Sequence, residues 1–183
     1  MGASMWRLLL TALGAALLGM CVTCSYAAPA QNSLDSSSHP LYTNRAYGFK
    51  VVLPPGLSYT RTVPPNPDHG LGIQIDHTKF WVDASYTDSS STEEEAKRRS
   101  QGCRIEEKRS ALLGNRPGIA MRLSCGANAY TGAYEESLVL VVYKGKDRSP
   151  VDYQIGVRTD GPRITSQDER TLGKLEAGFS FLK

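Results

Sequence analysis

Residues 103–125 read CRIEEKRSALLGNRPGIAMRLSC. Apolar and polar side chains alternate on both sides of a turn-forming core: Ile119, Met121, Leu123 and Cys125 share one face, and Arg122 and Ser124 take the other. A period of two over 105–112 and 119–125 predicts two antiparallel strands, joined through Leu113-Gly114-Asn115-Arg116-Pro117-Gly118. A hairpin centred on Gly114 sets residue 103 opposite residue 125. Directly opposed strand residues hold their Cβ atoms about 4.5–5.5 Å apart, close to what a disulfide spans. Strand register therefore selects a Cys103–Cys125 bond.

Whether that bond forms depends on the compartment, which the N-terminus addresses. Arg7 is the only charge before Asp35, and the apolar stretch Leu8–Leu18 follows it. Small residues then gather at Ala27, Ala28 and Ala30. A short positive region, an apolar core and a small-x-small site predict a secretory signal over residues 1–27, cut after Ala27 or alternatively after Ala30. Cleavage after Ala28 would place Pro29 at the scissile bond. A permanent anchor over Met5–Tyr26 is disfavoured because Thr11, Gly14 and Gly19 dilute it. A lipidated cysteine is disfavoured by the residues before Cys21 and Cys24. Cleavage removes both of these thiols and leaves Cys103 and Cys125 as the only pair. In a periplasmic or secreted protein two thiols are most simply a disulfide. No third soft ligand stands near either one to suggest a metal.

The formal charge of the whole chain is +3, with basic and acidic residues interleaved and no basic block. Such a surface exerts no long-range pull on phosphate, so nucleic acid is not an expected partner. No stable membrane span is expected once the leader is gone. Residues 28–40, Ser-rich and polar, read as a flexible tether, and 41–183 as one domain.

Outward from the hairpin the chain is mostly two-periodic. Tyr47, Phe49, Val51 and Leu53 form a strand that Pro54-Pro55-Gly56 ends. A Pro-rich loop with Pro64, Pro65 and Pro67 follows. Leu71, Ile73 and Ile75 alternate with Gly72, Gln74 and Asp76, and Phe80, Val82, Ala84 and Tyr86 alternate with Trp81, Asp83 and Ser85, a second hairpin. Ser137–Tyr143 is apolar on both faces and reads as a central strand. Val151, Tyr153, Ile155 and Val157 make the return, with Asp152, Gln154, Gly156 and Arg158 on the other side.

Two helices interrupt this pattern. Ser91 with Glu94, or Thr92 with Glu95, has the capping-box spacing. Glu93/Lys97, Glu94/Arg98 and Glu95/Arg99 are then i,i+4 pairs on a solvated face, and Gly102 ends the helix. Ser166 with Glu169 repeats the spacing before Leu172, Leu175 and Phe179.

The order of elements, with Tyr47-Gly48-Phe49 running into Pro54-Pro55-Gly56 and Leu172–Phe181 ending in Ser-Phe, resembles the PsbP-like family, which includes small periplasmic proteins of the DcrB kind. The resemblance implies an α+β fold, an α/β/α sandwich with an antiparallel sheet of six to seven strands flanked by two helices. It also implies a non-catalytic role as accessory subunit, chaperone-like binder or envelope protein. It carries over no catalytic residue and no cofactor.

Candidate chemistry is thin. Asp68-His69 and Asp76-His77 could serve a hydrolase or a metal, but they stand at opposite ends of one strand, about 25 Å apart at strand rise. Glu135 and Glu136 are adjacent, so they point to opposite faces of a strand. No catalytic residue, metal or cofactor is assigned. A candidate interaction surface comprises Trp81 and Asp83 on the strand, with Pro64, Pro65, Asp68 and His69 in the loop before it; aromatic residues are enriched where proteins meet, and long loops carry recognition. The expected function is an exported, non-catalytic accessory or binding protein for an unidentified protein or envelope component. The alternatives are an immunity-type inhibitor of a secreted toxin and a hydrolase using Asp76/His77 or Asp68/His69.

Overall fold

The computed structural model describes residues 40–62, 69–127, 131–145, 147–161 and 163–183. The expected leader and most of the tether, together with Pro64, Pro65 and Asp68, lie outside the described residues.

Among the described residues ten strands and two helices follow in the order β1 (Leu41–Asn44), β2 (Phe49–Val52), β3 (Thr60–Thr62), β4 (Gly70–Ile75), β5 (Thr78–Tyr86), α1 (Thr92–Arg99), β6 (Cys103–Leu113), β7 (Arg116–Cys125), β8 (Tyr134–Lys144), β9 (Pro150–Thr159), α2 (Ser166–Gly178) and β10 (Phe179–Phe181). Seven of the strands form one antiparallel sheet in the order β3-β4-β5-β9-β8-β7-β6. The strand expected at Tyr47–Leu53 does not join it. Its core, β2, sits between β1 and β10 in a separate three-stranded sheet.

The large sheet buries both faces, each with its own helix. On one face Phe80, Val82, Tyr153, Ile155 and Val139 pack with Tyr42, Phe49 and Val51 of the small sheet and with Leu172 and Leu175 of α2. Phe49 stacks on Phe179 at 5.3 Å, and the Tyr153 hydroxyl donates to the Tyr47 carbonyl at 2.8 Å. The other face is shorter of apolar residues: Trp81, Met121, Leu123, Leu138 and Leu140 gather around Ala96 of α1. The Val142 N–H donates to Thr92 Oγ1 at 3.0 Å and ties the start of α1 to β8.

The hairpin pairs Cys103 with Cys125 and closes the disulfide across 22 residues of sequence. Its turn is tighter than the sequence suggested. Gly114 and Asn115 both take positive φ, +55° and +67°, as a two-residue turn of matching twist requires. Leu113 then faces Arg116, a register that would carry Cys103 past Cys125. An irregularity between Ile105 and Glu107 absorbs one residue and restores the match. Removing the bond by replacing both cysteines with Ser is expected to lower unfolding stability by about 3 kcal/mol in the chain-entropy model. Denaturant titration of oxidised, reduced and substituted protein measures it, and equal midpoints for all three would contradict it.

The helix starts depart from expectation in detail. For α1, Ser91 caps by accepting the Glu94 N–H at 3.2 Å. The Glu-rich face is not simply solvated: Glu95 is fully buried, accepting from Ser89 Oγ (2.7 Å), Thr87 Oγ1 (2.8 Å) and Arg98. The charges of α1 pair outside the i,i+4 pattern, Glu93 with Lys108 and Arg99 with Glu136. For α2 the capping box sits one residue earlier than Ser166/Glu169. Thr165 Oγ1 accepts the Asp168 N–H at 3.2 Å, and the Asp168 carboxylate accepts the Thr165 N–H at 2.9 Å. Among the described residues no helix is long and apolar enough to cross a membrane.

Candidate functional site

Because α1 is only eight residues long, it covers β7 and β8 and leaves the β4, β5 and β9 part of its face open. There lies a cleft of about 580 Å³. Strand register lays out its floor in rows. In the first, Gln74, Lys79, Arg158 and Glu136 stand side by side across β4, β5, β9 and β8. In the second, Trp81 lies between Gly72 and Gly156. In the third, Asp83 is opposite Gln154. His77 is at the rim, in the β4–β5 turn, and Arg99 reaches in from the end of α1.

The sequence explains each row. Period two places Lys79, Trp81 and Asp83 on one side of β5 and Phe80 and Val82 on the other. Gly156 lets the indole lie on bare backbone: a Cβ there would stand 2.2 Å from Trp81 Cζ2. Trp81 is accordingly only 9% exposed. Of the candidate interaction surface, Trp81 and Asp83 line this cleft: the indole is a buried floor packed against α1's cluster, and Asp83 beside it is half-buried. His69 is at the start of β4, its ring 5.4 Å from that of Tyr47. It is thus on the side of the small sheet, and the two imidazoles are not brought together. Among the described residues no group of three or more His, Cys, Asp and Glu is placed to hold a metal ion.

Charge is arranged in pairs. Arg99 Nη2 is 3.3 Å from Glu136 Oε1, and Arg158 donates to Asp160 Oδ1 at 3.0 Å while its guanidinium lies 3.7 Å over the Tyr134 ring. Burial pushes the Glu136 carboxyl above its ordinary range, against the pull of Arg99 and Arg158. On the far side of its strand, Glu135 accepts the Ile164 N–H at 3.1 Å, so the two glutamates do serve opposite faces.

Beside the third row lies a more strongly perturbed group. Asp152, 1% exposed, accepts from Gln154 Nε2 at 2.5 Å. Burial, with the charge of Glu95 added, raises its carboxyl to about 7, although Arg99, Gln154 and Arg98 oppose the shift. Asp152 Oδ1 and Gln154 Oε1 are both buried without a hydrogen-bond partner, and such orphaned acceptors are rare in native interiors.

Lys79, Arg99, Gln154 and Arg158 were not singled out in the sequence, and Glu136 was weighed only with Glu135 as an adjacent pair. The available signal was the run Asp152, Gln154, Gly156, Arg158, a polar register that is half-buried or deeper throughout.

No protein-family model and no curated protein sequence matches the chain. Solved structures do. The solution structure of cyanobacterial PsbP from Synechocystis sp. PCC 6803 superimposes with a TM-score of 0.53 at 10% identity, over 84% of this chain and 96% of that one. The fold is PsbP-like. LpqN of Mycobacterium tuberculosis, described as involved in cell envelope biogenesis, superimposes with a TM-score of 0.50 at 11% identity, over 74% of this chain and 83% of that one. At such identities the likeness concerns architecture; the side chains of the cleft are this chain's own.

Proposed function

We propose that the chain is an exported, non-catalytic accessory or binding protein of the cell envelope, periplasmic or secreted, freed of its leader by cleavage after Ala27 or alternatively Ala30. The observation that carries this reading is the open cleft over β4, β5 and β9, where the Arg99/Glu136 and Arg158/Asp160 pairs stand around a buried indole. Preformed, mostly satisfied side chains suit recognition, whereas a nucleophile would need a positioned base beside it. Two further observations support the envelope. Cys103 and Cys125 are bonded, as befits an oxidising compartment. LpqN, with the same architecture, is described as involved in cell envelope biogenesis.

The test is fractionation followed by crosslinking capture. The exported protein is expected to begin at Ala28, or at Gln31, with both thiols resistant to alkylation until reduced. Mild crosslinking in intact cells is expected to join it to an envelope component, and a cleft variant such as Lys79→Met is expected to lose that adduct. A cytosolic protein with an intact N-terminus and free thiols would overturn the proposal.

A further inference from the structure

The face of the large sheet that carries α2 holds a second depression, on the opposite side of the sheet from the cleft. α2 packs over β9 and β5, and between it and β6, β7 and β8 a groove of about 310 Å³ remains. Register lays out its floor in two rows. Glu107, Arg122 and Ser137 stand side by side in one, and Arg109, Ala120 and Val139 in the other. The wall is α2, which presents Glu169, Leu172, Gly173 and Glu176, the i, i+3, i+4, i+7 spacing of a single helix face. On an amphipathic helix the face turned to a sheet is where apolar residues belong. Here it carries a carboxylate at each end and a glycine between them.

Two residues of the groove are not accounted for by the fold itself. The first is Glu176. Both arginines are engaged, Arg122 by Glu169 at 3.1 Å and by the Ile164 carbonyl at 3.5 Å, and Arg109 by Glu107 at 3.1 Å. Glu176 is half-buried, yet among the described residues no hydrogen bond or ion pair reaches its carboxylate. Burial raises its carboxyl, and only the charge of Arg109, beyond ion-pair reach, opposes the shift. Half-burying a charge without a partner is costly. The second is Gly173. Glycine inside a helix is unfavourable relative to Ala, and neither common reason for one applies. Gly173 is outside the left-handed region, and a Cβ there would meet nothing within 4 Å. No neighbour uses the gap, which leaves the helix backbone bare along the groove.

We propose that this groove binds a primary aliphatic amine, its ammonium on Glu176 and its hydrocarbon chain running past Gly173 over Leu172, Ala120 and Val139. Charge decides the sign of the ligand. Three glutamates and two arginines line the groove, so one positive charge brings it to neutrality, whereas an anion would meet arginines already taken. Hydrogen bonding decides the head group. An ammonium gives N–H donors to a carboxylate; a quaternary ammonium has none and asks for aromatic faces, and no aromatic side chain lines the groove. A volume of about 310 Å³ lies at the small end of ligand pockets, which suits a short chain. The same head and chain belong to a free alkylamine and to the lysine side chain of a polypeptide, and the test separates the two. The site is independent of the cleft on the other face and goes beyond the binding-protein reading.

The probes are n-pentylamine and the methylamide of Nα-acetyl-lysine, each titrated into the purified, isotope-labelled, disulfide-bonded protein and followed by NMR. Saturable shifts of the Gly173 and Glu176 amides are expected. Pentanol and pentyltrimethylammonium are expected to bind more weakly by about tenfold or more, as loss of a charged hydrogen bond implies. The lysine derivative reports the source: binding as tight as that of pentylamine assigns the groove to a polypeptide lysine, and weaker binding assigns it to a free amine. Glu176→Gln is expected to weaken pentylamine by about tenfold or more. Gly173→Leu, which fills the groove, is expected to abolish binding while raising the unfolding midpoint, because Leu is the better helix former; the raised midpoint shows that the fold is kept. No saturable binding of either amine, equal affinity for pentanol, or unchanged affinity in Glu176→Gln would overturn the proposal. None of these results bears on the envelope adduct made through the cleft.

Discussion

Replacing Asp152 with Asn is expected to stabilise the protein above pH 7 by up to about 4 kcal/mol and to leave its stability unchanged near pH 3. The effect comes from a proton. In the unfolded chain this carboxyl ionises at its ordinary 3.8; in the fold, burial and the neighbouring Glu95 raise it to about 7. Between those values the folded state holds a proton that the unfolded state has released. Each unit of rising pH then removes about 1.4 kcal/mol of stability. Below the lower value both states are protonated and nothing is lost; above the upper one the loss is complete and constant. Asn retains an acceptor for Gln154 Nε2 and cannot ionise. Glu95 would not show the same trend. Burial pushes its carboxyl up, but hydrogen bonds from Arg98, Ser89 and Thr87 outweigh it and hold it below its usual range. Denaturant unfolding of both proteins from pH 3 to pH 9 makes the comparison. Parallel stability curves would remove the assigned burial of a charge at Asp152.

How far the sequence could be read follows from which interactions are local. Period two identified the strands of both hairpins, and it put Cys103 opposite Cys125, because side-chain alternation and turn position are properties of neighbouring residues. It could not show that the Cys match needs an irregularity near Glu106, since the turn at Gly114-Asn115 is one residue tighter than a centre on Gly114 implies. Capping residues were found by spacing but misplaced by one at α2, where Thr165/Asp168 and Ser166/Glu169 offer the same pattern and only the first is used. The small sheet was not legible. Gly178 closes the helix in the sequence, but that Phe179–Phe181 then forms a strand depends on β2, some 130 residues earlier in the chain. The cleft failed for the same reason. That Asp83 faces Gln154, or Lys79 faces Arg158, is decided by β9 returning beside β5 after the whole of α1, β6, β7 and β8 has been inserted. Polar alternation on β9 is a local property; that its polar side lines a cleft beside α1 is not.

That same long-range pairing makes the floor of the cleft testable by a double-mutant cycle between Trp81 and Gly156. Trp81→Ala alone is expected to cost about 3–5 kcal/mol, the range for emptying a buried indole site. Gly156→Ala alone is expected to cost about 1–3 kcal/mol, as overpacking does, because its new Cβ would meet Trp81 Cζ2 at 2.2 Å and two further ring atoms at 2.7 Å. The three nearest atoms all belong to that ring. Gly156 has no left-handed backbone to preserve, and Gly within a strand is itself unfavourable by about 0.5–1 kcal/mol relative to Ala. Once the ring is gone, Gly156→Ala should therefore change sign and stabilise the Trp81→Ala protein by a fraction of a kcal/mol. The two substitutions couple by about 2 kcal/mol, well beyond the few tenths seen for independent sites. Equilibrium unfolding of the four proteins measures the coupling. Additive costs would mean that the indole does not rest on the Gly156 backbone, and the middle row of the cleft would have to be drawn differently.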